Sequence, residues 1–257
     1  MIGIQGSGPP GSALVTGASG MLGSRLVEIL IGNGWTVAAY IQSGSDESDI
    51  AATGAAIHRG DITDAAALRN AAEGCGAIFH AAALVPGSGA SEQEFHRVNV
   101  EGTRNVLNIA VEISAQRVVH VSTVNTIAGQ PGVVVDESIG PPTDIHRGYD
   151  ASKVAGERLA LEYAAIGLDV VVLNPAVMFG PRSRNSGRII NLFLRGRMPI
   201  LPAPSRQMSF AFVDDAAVAC MLAMAHGERG QRYIVANPPV SLRDFVGTLA
   251  EVSGRRR

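Results

Sequence analysis

A chain of 257 residues, 46% hydrophobic and only 17% charged, can bury a large core and lacks the charge excess of a disordered polypeptide. No apolar run approaches the roughly 18 residues of a membrane span. The first dozen residues, MIGIQGSGPPGS, lack the basic start and apolar centre of a secretory signal, so they read as a flexible leader and the expected location is the cytoplasm. The net charge of −2 is dispersed apart from Arg255, Arg256 and Arg257, which leaves no electrostatic footprint for nucleic acid.

Apolar runs alternate with helix-period segments along the chain, the pattern of βαβ units around a parallel sheet. A strand expected over 13–16 runs into Gly17, Gly20 and Gly23 of TGASGMLGSRLVEIL, and a helix over 21–31 opens at once. Glycines there permit a sharp turn, bring backbone N–H groups against a pyrophosphate and let helix and strand pack closely. A packing turn explains three glycines alone, but their place between the first strand and first helix points to a dinucleotide. Gly34 ends that helix, and the second strand over 36–41 leads into Gln42 and Ser43. A carboxylate at this strand end would bind the ribose 2′-OH of NAD, and a cation the 2′-phosphate of NADP. Neither is present, so the reading leans to NADP(H) over NAD(H), with Gln42, Ser43 and Arg25 around the phosphate. After a third strand over 55–59, Asp61 and Ile62 in RGDITD either meet the adenine or, for Asp61, cap the following helix over 64–72.

Further strands are expected over 77–82, 117–122, 169–174 and 232–236, and helices over 92–114, 150–165, 214–225 and 242–252, with Gly167 as a stop signal. Residues 181–208 break into Arg, Pro and Gly around one amphipathic piece at 189–194, a substrate-side insertion and not a second domain. Of the 21 basic side chains 20 are arginine, and the one lysine, Lys153, follows Tyr149 by four residues in YDASK. On a helix both project from one face. A phenol titrates near pH 10, and an adjacent ammonium or an oxidised nicotinamide would favour phenolate and lower that value, making tyrosine a general acid or base. The competing reading is a surface helix with an incidental Tyr and Lys.

These segments together resemble the extended short-chain dehydrogenase/reductases, in the dihydroflavonol reductase-like and 3β-hydroxysteroid dehydrogenase-like branch. TGASGMLG resembles the cofactor loop, GDITD the adenine site, HAAAL the fourth strand and VNVEGTRNVL the central helix. VSTVNTIAG resembles the serine/threonine strand, YDASK the catalytic pair, NPAVMFGPR the strand after it and FVDDAA a late helix start; the match spans about 13–253. The resemblance implies Tyr149 as acid/base, and Lys153 as the group that lowers its pKa and holds the nicotinamide ribose. It implies Thr123, with Ser122 in reserve, as the hydroxyl on the substrate oxygen. Asn99 would order a relay water or, equally, bond a helix kink. Gly17, Ser19, Gly20, Met21, Leu22 and Gly23 would line the pyrophosphate, Pro175 and Val177 the carboxamide, and Ala81, Ala82 and Ala83 the cofactor's face.

His80 and His120 read as satisfied core histidines, Phe210 and Phe212 as core, and Asp136, Glu137, Asp214 and Asp215 as loop and cap residues. Cys75 and Cys220 suit buried thiols, and no metal site is expected. Two departures from the resembling proteins stand out. The chain stops where they continue, so the substrate lobe is either naturally reduced or cut short. Met208 and Ser209 occupy positions where sugar-nucleotide binders tend to carry Arg-Asp. The expected molecule is one doubly wound α/β (Rossmann) domain over 1–257, with a small C-terminal substrate lobe from about 178–210 and 232–257. Its expected reaction is hydride transfer between NAD(P) and a carbonyl or secondary alcohol of a small, largely apolar substrate, in a homodimer. A nucleotide-sugar epimerase or dehydratase and a non-catalytic NAD(P)-binding protein or inactive fragment are the rivals.

Overall fold

The computed structural model describes residues 11–129, 133–145, 147–183, 186–197 and 203–255. Most of the expected leader, parts of the 181–208 segment, and Arg256 and Arg257 lie outside the described residues. In chain order the elements are β1 (Ser12–Thr16), α1 (Met21–Gly32), β2 (Thr36–Ile41), α2 (Ser48–Ala51), β3 (Ala56–Arg59), α3 (Ala65–Ala72) and β4 (Ala77–His80). Then come α4 (Glu92–His96), a π-helical turn (Arg97–Glu101), α5 (Gly102–Glu112), β5 (Arg117–Val121), a 3₁₀ turn (Val124–Thr126), α6 (Gly148–Ala165) and β6 (Val170–Pro175). The last third holds β7 (Val177–Phe179), α7 (Ser186–Leu194), β8 (Gln207–Met208), β9 (Phe210–Phe212), α8 (Val213–His226), β10 (Arg232–Val235), β11 (Val240–Ser241) and α9 (Leu242–Ser253).

Seven strands form one parallel sheet in the order β10-β6-β5-β4-β1-β2-β3, as the βαβ alternation requires. Every residue of β4 and β6 is buried because helices cover both faces. On one face Leu26, Leu30, Phe79, Val119 and Met221 join α1 and α8 to the sheet. On the other Leu14, Ile78, Leu107, Val118 and Leu159 join α3, α5 and α6. The chain winds outward from β1 through β2 to β3, then returns to β4 and winds the other way. The carboxyl ends of β1 and β4 therefore flank the topological switch point, where such sheets bind ligands.

Several boundaries differ from the sequence reading. β4 stops at His80, so Ala81 and Ala82 belong to the loop over the switch point. The single helix expected over 92–114 is divided by the π-helical turn, and the short elements α2, β7, β8 and β11 were not foreseen because two to four residues carry no periodic signal. Strand β10 extends the main sheet beside β6, so within 232–257 only the part after it leaves the sheet. Outside the sheet β7 pairs with β9 and β8 with β11. Phe210 and Phe212 are half-buried here, packing with Phe179, and Phe210 stacks on Phe245 at 4.6 Å between centroids. They belong to this small aromatic cluster and not to the main core.

Candidate active site

The loop after β1 is shaped by close approach. Gly17 has φ of 68°, and a Cβ there would lie 2.7 Å from the backbone of Ala82. A Cβ on Gly23 would overlap the Gly17 carbonyl, so α1 can sit this close only with glycine at both positions. Helix α1 starts at Gly20 with no side-chain cap and no acidic residue in its first turn, which leaves its N-terminal amides and dipole available to an anion. Leu22 is buried in the core, and the half-buried Met21 packs against it. Ser19 lies half-buried in the loop, and Ala81, Ala82 and Ala83 are half-buried across from it, with Ala82 N donating to Thr16 Oγ1 at 3.3 Å. The residues present fit a dinucleotide.

Gln42 and Ser43 are exposed after β2. Arg25 does not join them: its guanidinium donates to Asp214 through two nitrogens at 2.8 and 2.9 Å and to Glu28 at 2.8 Å, binding α1 to α8. The cation beside this strand end is Arg59, opposite Ile41 in register at the end of β3 and held by Glu47 through two hydrogen bonds of 2.5 and 2.9 Å. Asp61 does not cap α3; Asp64 does, accepting from Ala66 N and Ala67 N. The Asp61 carboxylate instead closes a turn on Thr63 and pairs with Arg97 at 3.0 Å. Ile62 is buried against Gly102.

Tyr149 and Lys153 lie on α6, and Thr123 lies just past β5. Burial pushes the phenol of Tyr149 up to about 12, helped by the Asp150 carboxylate and opposed by a hydrogen bond with Thr123. This reverses the expected direction. Lys153 is fully enclosed, and its Nζ donates to Val121 O at 2.9 Å, with no hydrogen bond to the phenol among the described residues. Burial pulls the ammonium down to about 8, against the pull of Glu157. An ammonium has three donors, and only one meets a protein acceptor among the described residues, which leaves two that fit a pair of ribose hydroxyls. The ring of Phe95, on α4, meets that of Tyr149 edge-on at 6.1 Å.

Asn99, in the π-helical turn, is 2% exposed and its side chain is fully engaged. Nδ2 donates to Leu84 O and Ser152 Oγ, and Oδ1 accepts from Leu84 N at 2.8 Å. These bonds tie the loop after β4 to α6. Ser122 is buried with no partner for Oγ among the described residues. Pro175 is buried at the end of β6, while Val177 is 40% exposed at the start of β7.

His80 is the satisfied core histidine expected, between Thr16 Oγ1 at 2.8 Å and Thr103 Oγ1 at 3.0 Å. His120 is not: it is 1% exposed, stacks obliquely on His80 at 5.3 Å, and neither ring nitrogen has a partner among the described residues. Asp136 closes a turn on Ser138, and Glu137 accepts from Ile234 N, so both are loop residues as read. Cys75 and Cys220 are buried free thiols. The sequence reading missed Glu157, Thr126, Asn174 and Arg232, which meet in one cluster next to Lys153 on α6, the first three buried and Arg232 half-buried. Only Glu157, four residues after Lys153, was open to discovery by spacing.

An uncapped glycine turn at the switch point of a parallel sheet ordered β3-β2-β1-β4-β5-β6-β10, with a tyrosine and a lysine one turn apart on α6, marks a Rossmann-type dinucleotide-binding fold. The sequence profile of the NAD dependent epimerase/dehydratase family matches residues 13–236, and the chain belongs to that family, within the extended short-chain dehydrogenase/reductases. It is 34% identical over 253 residues to sterol demethylase protein B of Methylococcus capsulatus, covering 96% of this chain and 76% of that one. It is also 34% identical over 243 residues to the 4-hydroxy-2-methyl-3-oxo-4-farnesyl-3,4-dihydroquinoline-1-oxide ketoreductase of Stigmatella aurantiaca, covering 93% and 72%. Among solved structures, the dTDP-glucose 4,6-dehydratase DesIV of Streptomyces venezuelae, with NAD and TYD bound, superposes with a TM-score of 0.84 at 26% identity, covering 95% of this chain and 82% of that one. NAD(P)-linked oxidoreduction is the chemistry these relations support. No helix among the described residues is long and apolar enough to cross a membrane.

Proposed function

We propose that the protein is an NAD(P)-dependent reductase or dehydrogenase that interconverts a carbonyl and a secondary alcohol on a small, largely apolar substrate. The observation that carries this is the half-buried Tyr149 phenol, hydrogen-bonded to Thr123 and one helical turn from Lys153 on α6. When bound, the nicotinamide supplies or accepts the hydride. Thr123 holds the substrate oxygen, and Tyr149 passes its proton to that oxygen as the carbonyl carbon gains hydride. With its pKa pushed up to about 12, the phenol is in the acid form at pH 7, the form that protonates a carbonyl oxygen as the carbon gains hydride. Lys153 holds the ribose with its remaining donors, Asn99 keeps the loop over the cofactor in place, and Ser122 offers a second hydroxyl.

The cofactor preference we propose is for NADP(H), since no carboxylate ends β2. Arg59 is the cation closest in register to that end, and Glu47 holds it, which keeps the preference modest. Gly17, Ser19, Gly20, Met21, Leu22 and Gly23 would carry the pyrophosphate, Asp61 and Ile62 the adenine, and Pro175 and Val177 the carboxamide. A homodimer through α5 and α6 completes the proposal, with sedimentation velocity as its check. The assay that tests the function follows absorbance of NADPH with a panel of apolar ketones. Stoichiometric NADPH loss with alcohol formation is expected. Interconversion of a nucleotide sugar without net change in cofactor would replace this reading with an epimerase or dehydratase, and cofactor binding without turnover of either kind would leave a non-catalytic protein.

A further inference from the structure

Behind the Tyr149–Lys153 pair lies a buried chain of charge that the reaction as proposed does not use. Glu157 is 4% exposed and follows Lys153 by one turn of α6. Its Oε2 accepts from Thr126 Oγ1 at 2.6 Å and Asn174 Nδ2 at 2.7 Å, and its Oε1 from Arg232 Nη1 at 3.3 Å. Asn174 Nδ2 also donates to the Thr123 carbonyl at 3.1 Å. Arg232 Nη2 donates to the carbonyls of Glu137 and Ile139. One carboxylate thus joins α6, β6, β10 and the turn that carries Thr123.

We propose that Glu157 is a positioning residue that keeps the buried Lys153 charged and, through Asn174, fixes the backbone at Thr123, with Arg232 tempering its charge. The inference rests on the reading of Lys153 as the residue that grips the cofactor. An ammonium taken fully out of water loses its proton unless an anion faces it. Asp150, one turn before Lys153 on α6, accepts from Asn125 Nδ2 at 2.8 Å in an exposed hydrogen bond, and, Glu157 apart, the other groups packed against the lysine are not anions. His80 on β4 is held neutral by burial and by Lys153 itself, down to about 3, and His120 on β5 is held well below its usual value by burial, Lys153 and His80. The Tyr149 phenol is neutral at pH 7, and Arg232 on β10 has the same sign as the lysine. Glu157 is the group that raises Lys153 against its burial. If Glu157 served only to knot these four elements together, its loss would loosen the fold without a specific effect on the lysine.

The chain has a single lysine, so protein labelled with ¹³C-lysine gives one side-chain Cε resonance and its titration reads Lys153 directly. In the intact protein the midpoint should lie near 8. In Glu157→Gln it should fall by about one pH unit or more, and in Arg232→Gln it should rise by about half a unit. General loosening cannot give opposite signs; it would carry both variants up toward the exposed value of about 10.4. Should Glu157→Gln not fold, Glu157→Asp, which withdraws the charge by one methylene, must still lower the midpoint while Arg232→Gln raises it. An unmoved midpoint in the Glu157 variants, or a rise in both, would overturn the proposal. The cofactor reading fails separately, if NADPH leaves the wild-type Lys153 resonance unmoved while the shifts between variants persist.

Discussion

Lys153 and Tyr149 carry opposite consequences of the same burial. Lys153 titrates near 8 in the folded chain and near 10.5 when unfolded, so between these values the unfolded state binds the extra proton and stability rises with pH. Below pH 8 both states are charged and the effect is flat. Relative to Lys153→Met, the wild-type protein should gain about 2 kcal/mol between pH 7.5 and pH 10, measured by urea denaturation at both values. A constant difference between the two proteins would mean that the lysine is not buried as a charge. The adenosine end gives a second expectation at this scale. Glu47→Gln releases Arg59 from its two hydrogen bonds, so NADPH should bind about threefold to tenfold more tightly with NADH little changed, by fluorescence titration. An equal change for both cofactors would remove Arg59 from the 2′-phosphate. The Tyr149–Lys153 spacing was legible in the sequence. The direction of the phenol's shift was not, because it depends on Asp150 beside it, on burial under Phe95 and on a lysine whose bond goes to Val121.

Helix α1 is the element on which the nucleotide site depends, and its glycines separate function from propensity. Gly23→Ala places a Cβ into the Gly17 carbonyl and should cost about 1–3 kcal/mol and weaken cofactor binding at least tenfold. Gly32→Ala, at the other end of the same helix with nothing within 4 Å, should be neutral or stabilising by about 0.5–1 kcal/mol. Thermal melts with and without NADPH check both, and a Gly23→Ala protein indistinguishable from wild type would mean the loop is not held as described. The existence of α1, α3, α5, α6 and α8 could be read from apolar periodicity and glycine stops. The π-helical turn could not, since five residues of irregular helix inside 92–114 carry no periodic signal of their own. Its cause is tertiary: Asn99 reaches Leu84 and Ser152 from two other parts of the chain. His120 escaped for a related reason, because a buried histidine looks the same in sequence whether or not its nitrogens find partners.

For the molecule as a whole, the winding of the sheet followed from the order of βαβ units, and with it the place of the switch point. The segments that should shape substrate binding were the least legible. Strands β7, β8, β9 and β11 are two or three residues long, and their pairing joins positions 30 or more apart that no local pattern relates. The clusters that matter are also global: Glu157 draws on residues from β6, β10 and the turn after β5, which meet only when the sheet is complete. The central claim, that Tyr149 delivers the proton in a reduction driven by a nicotinamide cofactor, is tested most directly by Tyr149→Phe, which removes one oxygen and keeps the ring. Turnover of an accepted ketone at saturating NADPH should drop by about 10² or more, with the dissociation constant for NADPH unchanged within about threefold. A variant that keeps nearly full turnover would contradict the account, and the proton would then come from another donor.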